Sequence, residues 1–387
     1  MKIVAAAAAL FAGLYFALDL NKLHALYYGF DNGIFLQTLS HFGHDASAFN
    51  WAEGKSHWFV HDSWLLLVLV PFVKVYPYQE TLIAAQVLLI AGSGVALYAF
   101  ARGIGVERIA ATCLALAYLI SPAVQGFAYN DFSESHFEPL LIFLFAIAVS
   151  RRSLVWILIV TQLMLGIKED LALFLLWFGV AGAIWYDRRA GLVVAALALV
   201  NAIAYQAFLL ANGQHGSVPQ YSLSVHHLPQ DLAFIIEMLV PFAFAPLLLR
   251  WRILLALPLV AELTLAERTG FPLARAGTHY TEAFVALLAI GAAIVMREKP
   301  ALARWALAGS AAMALFFNTT VLHFGRHLYV VDRPAYDAAR ELVAPQRAIT
   351  FSAEEQGAWS VAAGDLQARI TGFGQPLHVQ KPAWNTK

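Results

Sequence analysis

From residue 3 to residue 317 the chain is a succession of apolar runs, several of them uninterrupted for the roughly 20 residues that a helix needs to cross a bilayer. Composition agrees, with 60% hydrophobic and 13% charged residues in 387. The pattern predicts an all-α integral membrane protein with about 11 transmembrane helices, at approximately 3–20, 80–101, 107–121, 137–150, 153–167, 170–186, 190–211, 233–249, 253–267, 279–296 and 301–317. The first run has no small-residue cleavage pattern at its end and reads as an uncleaved span. Residues 1–317 form the polytopic membrane domain, with 21–62 as its first outer loop, and 318–387 are polar enough for a small soluble extracytoplasmic tail.

The short run from Trp64 to Val75 contains Pro71 and Lys74, and it reads as a segment that dips in or lies at the interface. On that reading Arg102 and Arg108, Arg151 and Arg152, Arg188 and Arg189, Arg250 and Arg252, and Arg297 with Lys299 fall in short loops on one side. The positive-inside rule makes that side cytoplasmic. The thirteen histidines, His215, His226 and His327 among them, then lie in outer loops, at outer span ends or in the tail. A polar cleft opening away from the cytoplasm follows. The formal net charge is zero, so nothing points to nucleic acid as a partner. Cys113 is the single cysteine, which excludes an intrachain disulfide.

Three polar stretches stand on the outer face. In the first, Asp31 precedes a short pattern in which Ile34, Phe35, Thr38 and Leu39 share a face. Asp31 is a natural N-cap there and the segment a natural interfacial helix, but this does not account for Gln37 or for the acids and histidines that follow. The second is Tyr129 to Pro139, holding Asp131, Glu134, His136 and Glu138, which on composition reads as a solvated outer loop with a capping acid. The third, Lys168-Glu169-Asp170, is a charged triplet between two apolar runs. It is tolerable only at the interface or facing a polar cavity, either as a self-neutralising turn or as a phosphate-contacting lysine flanked by acids. His41 with His44 and His57 with His61 have metal-like spacings without a complete ligand set. A divalent cation is therefore left open, and no cofactor is implied. The sequence has no Walker loop, dinucleotide fingerprint or nucleophile elbow.

The run Phe30-Asp-Asn-Gly-Ile-Phe-Leu-Gln37 resembles the D-x-G-I-F-x-Q signature of a family of predicted prokaryotic membrane proteins of unknown function. His61, Gln86, Asp131-Phe132, Lys168-Glu169-Asp170 and His279-Tyr280 follow it in the family's order. That family is similar in layout to the GT-C glycosyltransferases, with many spans, an essential acid in a large first outer loop and a C-terminal extracytoplasmic region. The resemblance implies a protein of the prokaryotic inner membrane that transfers a sugar from a polyprenyl-phosphate donor to an unidentified acceptor outside the cytoplasm.

An inverting transfer needs one general base and a group that stabilises the departing phosphate. Asp31 fits the first role, and Lys168 with His61 or His279 fits the second. Asp31, Asp131 and Lys168 are expected to converge on one outward cavity. The competing class is a transporter or lipid flippase: Glu237, Glu262 and Glu282 are the carboxylates well inside late spans, and the first two keep it open. A non-catalytic envelope assembly protein is the third.

Overall fold

The computed structural model describes residues 1–25, 31–50, 53–214, 221–223, 227–268, 271–317, 319–325, 328–331, 333, 337, 350–353, 358–363, 366–371 and 378–380. His215, His226 and His327, Phe30 at the start of the run that resembles the family signature, and most of the expected tail lie outside them.

The membrane part is helical: α1 Lys2–His24, α2 Asp31–Asp45, α3 Val70–Val75, α4 Gln79–Gly103, α5 Arg108–Ile120, α6 Pro122–Tyr129, α7 Glu138–Ser150, α8 Leu154–Leu165, α9 Asp170–Trp185, α10 Arg188–Ala211, α11 Leu228–Leu239, α12 Leu257–Leu265, α13 Glu282–Met296 and α14 Leu302–Phe316. Short 3-10 turns join several of them, at Trp64–Leu69, Glu134–Phe137, Ala245–Ala256 and His279–Thr281. In the tail, Thr350–Ala353, Ala358–Ala363, Leu366–Thr371 and His378–Gln380 pair as an antiparallel four-stranded meander.

The expectation of about eleven spans is corrected. Among the described residues five helices are long and apolar enough to cross a membrane, at Lys2–His24, Gln79–Gly103, Arg188–Ala211, His279–Met296 and Leu302–Phe324; a sixth is the pair α5 and α6 if it counts as one span bent by 49°. The bend falls at Ser121, whose extended backbone precedes Pro122, as the ring of a following proline requires. Apolar composition overcounted for two reasons. First, α7, α8 and α9 have 13, 12 and 16 residues. At 1.5 Å per residue those for α8 and α9 come to about 18 and 24 Å, short of a hydrocarbon core of about 30 Å. Second, the stretch from 233 to 267 is broken by Pro241, Pro246 and Pro258 and by left-handed backbone at Ala243, Phe244 and Arg250. Trp64–Val75 is likewise too short to cross, and it packs against α2, with Val70 and Lys74 beside Gly43.

Close packing of α9 on α10 depends on small residues. A Cβ on Gly191 would stand 2.1 Å from the Ala183 nitrogen and one on Gly179 2.5 Å from that of Ala195, so the two backbones touch where only glycine fits. Gly191→Leu should therefore force the helices apart at a cost of roughly 1–3 kcal/mol. A lowered thermal midpoint of the detergent-solubilised protein is the expected readout, and an unchanged midpoint would mean that α9 and α10 do not pack this way.

The turns bearing the arginines gather at one end of the bundle. Gly103, Ser150, Asp187, Arg252 and Arg297 border a common space there, and the Tyr186 hydroxyl donates to the Val149 carbonyl at 3.0 Å. The N-termini of α7, α9 and α13 lie at the opposite end.

Candidate functional site

Those three N-termini begin with acids: Glu138 in α7, Asp170 in α9 and Glu282 in α13. Each helix directs the positive end of its dipole toward this region, which favours negative charge there. Lys168, only 7% exposed, sits among them with its Nζ 4.0 Å from Glu134 Oε1 and 5.7 Å from the centre of the Tyr280 ring. Glu138, Lys168, Asp170, His279 and Tyr280 line a cavity of about 20 Å³, room for about one water molecule, and Glu262 reaches it from the exposed surface of α12.

Local chain features hold this geometry. Gln86 of α4 places its Nε2 2.7 Å from the Asn130 carbonyl and 3.0 Å from that of Ala128, closing the end of α6. Ser133 then caps the 3-10 turn Glu134–Phe137 by accepting from the Ser135 nitrogen at 3.3 Å, which turns Glu134 and His136 inward. The 61–65 segment is tied to the 166–170 turn by the Leu65 nitrogen donating to the Gly166 carbonyl at 2.7 Å. Glycine is required at 166, since a Cβ there would stand 2.3 Å from the Trp64 indole.

Two histidine–carboxylate pairs flank Lys168. His136 Nδ1 lies 2.5 Å from Glu282 Oε1 with both side chains fully buried, and His136 Nε2 faces the Asp131 carbonyl at 3.2 Å. Because Nε2 faces an acceptor it carries a proton, so the Glu282 contact holds a second, shared one. The other pair is His61 Nδ1 with Glu169 Oε1 at 2.9 Å, each about a quarter exposed. Burial works against charge on Glu169, yet the His61 hydrogen bond and the charges of His61 and Lys168 bring its carboxyl down to about 2. His61 is correspondingly raised: burial and Lys168 push it down, but Glu169 outweighs them. Asp62 goes the other way. Burial, and then the Glu169 charge, push its carboxyl up to about 7, while its backbone nitrogen donates to Glu169 Oε2 at 3.2 Å.

Of the residues singled out from sequence, His61, Glu134, His136, Lys168, Glu169, Asp170, His279 and Tyr280 come together here. Asp131 joins through its carbonyl, which faces His136 Nε2. Its carboxylate is 3.6 Å from Lys22 of α1, near the fully buried Asp19. Asp31 opens α2, half-buried, and Gln37 is buried further along that helix. Phe35, one turn after Asp31, packs edge-on against His57 and Phe132 with ring centres 5.4 Å away in each case, which connects α2 to the flank of the cluster. Asp62, Glu138 and Glu282 have no role in the sequence reading of the site, and Glu262 enters it only in support of transport, although Asp62 directly follows a family-matched histidine. No group of three or more metal-ligating side chains is assembled among the described residues.

A second cavity, about 670 Å³ and lined mostly by apolar side chains, runs between α7, α9, α13 and the Ala245–Ala256 segment toward the arginine end; Phe174 belongs to the walls of both cavities.

A family described as predicted membrane protein (DUF2079) matches residues 22–226, just over half of the chain and the whole region from the first loop through α10. No curated protein matches, and no solved structure matches, so the likeness of layout to the GT-C glycosyltransferases gains nothing from these comparisons.

Proposed function

The chain belongs to that family of multi-pass membrane proteins, and from this premise we propose that it is a membrane glycosyltransferase, working at the cluster around Lys168 on a polyprenyl-phosphate-linked sugar. The observation that carries the reading is the convergence of the α7, α9 and α13 N-termini on a buried lysine beside an aromatic ring. Helix N-termini and a lysine suit a phosphate, a tyrosine ring suits the face of a sugar, and carboxylates accept from sugar hydroxyls.

In the proposed inverting step, an aspartate takes the acceptor's hydroxyl proton as the acceptor oxygen bonds to the anomeric carbon. The bond from that carbon to the phosphate oxygen breaks, and its electron pair leaves with polyprenyl phosphate, which Lys168 stabilises. Asp31 and Asp62 are the two aspartates we weigh as the base. Asp31 matches the family signature, whereas the surroundings of Asp62 favour it, because a carboxyl near 7 is a far stronger base at neutral pH than an ordinary one. A sugar exceeds the 20 Å³ nook, so binding requires the nook to widen. The positive-inside rule puts this end outside the cytoplasm of a prokaryotic cell.

Proton-coupled transport is a second reading. It is favoured by the surplus of buried acids, Asp19, Glu134, Glu138 and Glu282, over buried cations. The deciding experiment supplies the purified protein in lipid vesicles with radiolabelled polyprenyl-phosphate sugars and a cell-envelope extract. Label should pass to an acceptor with release of polyprenyl phosphate. Solute flux without consumption of the donor would replace transfer by transport.

A further inference from the structure

The 670 Å³ apolar cavity is within the size range of ligand sites, about 300–1,000 Å³. Its walls run along α9 from Phe174 to Trp185, about 16 Å at 1.5 Å per residue. That is close to half of a hydrocarbon core of about 30 Å, the depth of a single leaflet. At the mouth, Trp185 and Trp251 meet edge to face with ring centres 4.6 Å apart, and Arg252 lies 5.7 Å from the Trp251 ring. Tryptophans of this kind mark the level of the headgroups.

We propose that this chamber holds one chain of an anionic glycerophospholipid from the leaflet at the arginine end, with the lipid phosphate between Arg252 and Arg297. Charge complementarity selects the occupant. Arg252 and Arg297 both line the mouth, and among the described residues Arg297 makes an ion pair with the solvent-exposed Glu298 at 3.9 Å, a contact that a phosphate readily replaces. The one acid in the lining, Asp187, is committed to capping α10 by accepting from the Ala190 nitrogen at 2.9 Å. The bound chain would end at Phe174, beneath Lys168, and so form the apolar floor of the polar cluster. This inference is independent of glycosyl transfer.

Native mass spectrometry of the purified full chain, titrated with phosphatidylglycerol, phosphatidylcholine or glycerol phosphate, tests it. Phosphatidylglycerol should bind roughly 10- to 30-fold more tightly than phosphatidylcholine, as two basic contacts provide. Arg252→Gln with Arg297→Gln, both at exposed positions, should abolish that preference. Ala146→Phe, which fills the chamber, should weaken both lipids alike. Equal binding of the two lipids by the native chain, an undiminished preference in the double variant, or displacement of phosphatidylglycerol by glycerol phosphate at similar concentration would each overturn the proposal.

Discussion

Asp62→Asn should lower the rate of sugar transfer from a polyprenyl-phosphate donor by about 10²- to 10⁴-fold, the usual contribution of a positioned base. The native rate should fall as pH drops below about 7, because the Asp62 carboxyl, raised by burial and by the neighbouring Glu169 charge, is then protonated and cannot accept. That limb should disappear in Asp62→Asn. Glu169 cannot produce it, since His61 holds the Glu169 carboxyl near 2. Asp31→Asn is the matched control, because asparagine keeps the size and polarity of the side chain at the first residue of α2, which should persist. A full rate in Asp62→Asn with the loss transferred to Asp31→Asn would make Asp31 the base. Full rates in both variants would leave the transfer reading without one.

The largest effect on stability is expected at the His136–Glu282 pair. Glu282→Leu leaves the imidazole in a fully buried site without its carboxylate, and breaking a buried pair from one side costs about 3–5 kcal/mol. Glu282→Gln keeps an acceptor facing Nδ1 and should cost about 1–3 kcal/mol. Replacing His136 by Leu in the Glu282→Leu background should recover part of the loss, since neither polar group is then stranded. Thermal unfolding of the solubilised variants is the measurement. An unchanged midpoint for Glu282→Leu would mean that the two side chains do not meet.

Local sequence carries some of this structure and none of its long-range pairing. The apolar runs of α1, α4 and α10 read directly as spans, and the arginine doublets mark the turns that do gather at one end. Asp31 with its apolar face reads as α2. Hydropathy does not register the breaks between 233 and 267, because it averages over prolines and left-handed residues. The charge of Lys168 between apolar runs requires the interface or a polar surrounding, and the lysine lies beside a nook of about 20 Å³ that neither Asp31 nor Asp131 lines. Its partners could not be read. Glu282 meets His136 from 146 residues away, and Glu169 meets His61 across 108. Sequence places Asp131 with Lys168, since both belong to outer clusters, but the Asp131 carboxylate faces Lys22, whose neighbours in sequence give no reason to expect it.

The unequal lengths of the helices have a consequence for the surrounding lipid. α4 and α10, with 25 and 24 residues, offer full-height walls, whereas α8 and α9 have 12 and 16. A short hydrophobic wall draws the bilayer thinner around it, at a cost of a fraction of a kcal/mol per ångström of mismatch. On the α8–α9 side the headgroups would then descend toward the ends of these helices, and at the N-terminus of α9 they would approach the level of Lys168. A molecule with a long apolar tail and a polar head could reach the cluster there by sliding sideways from the membrane, without its head having to enter the thick hydrocarbon layer beside α4.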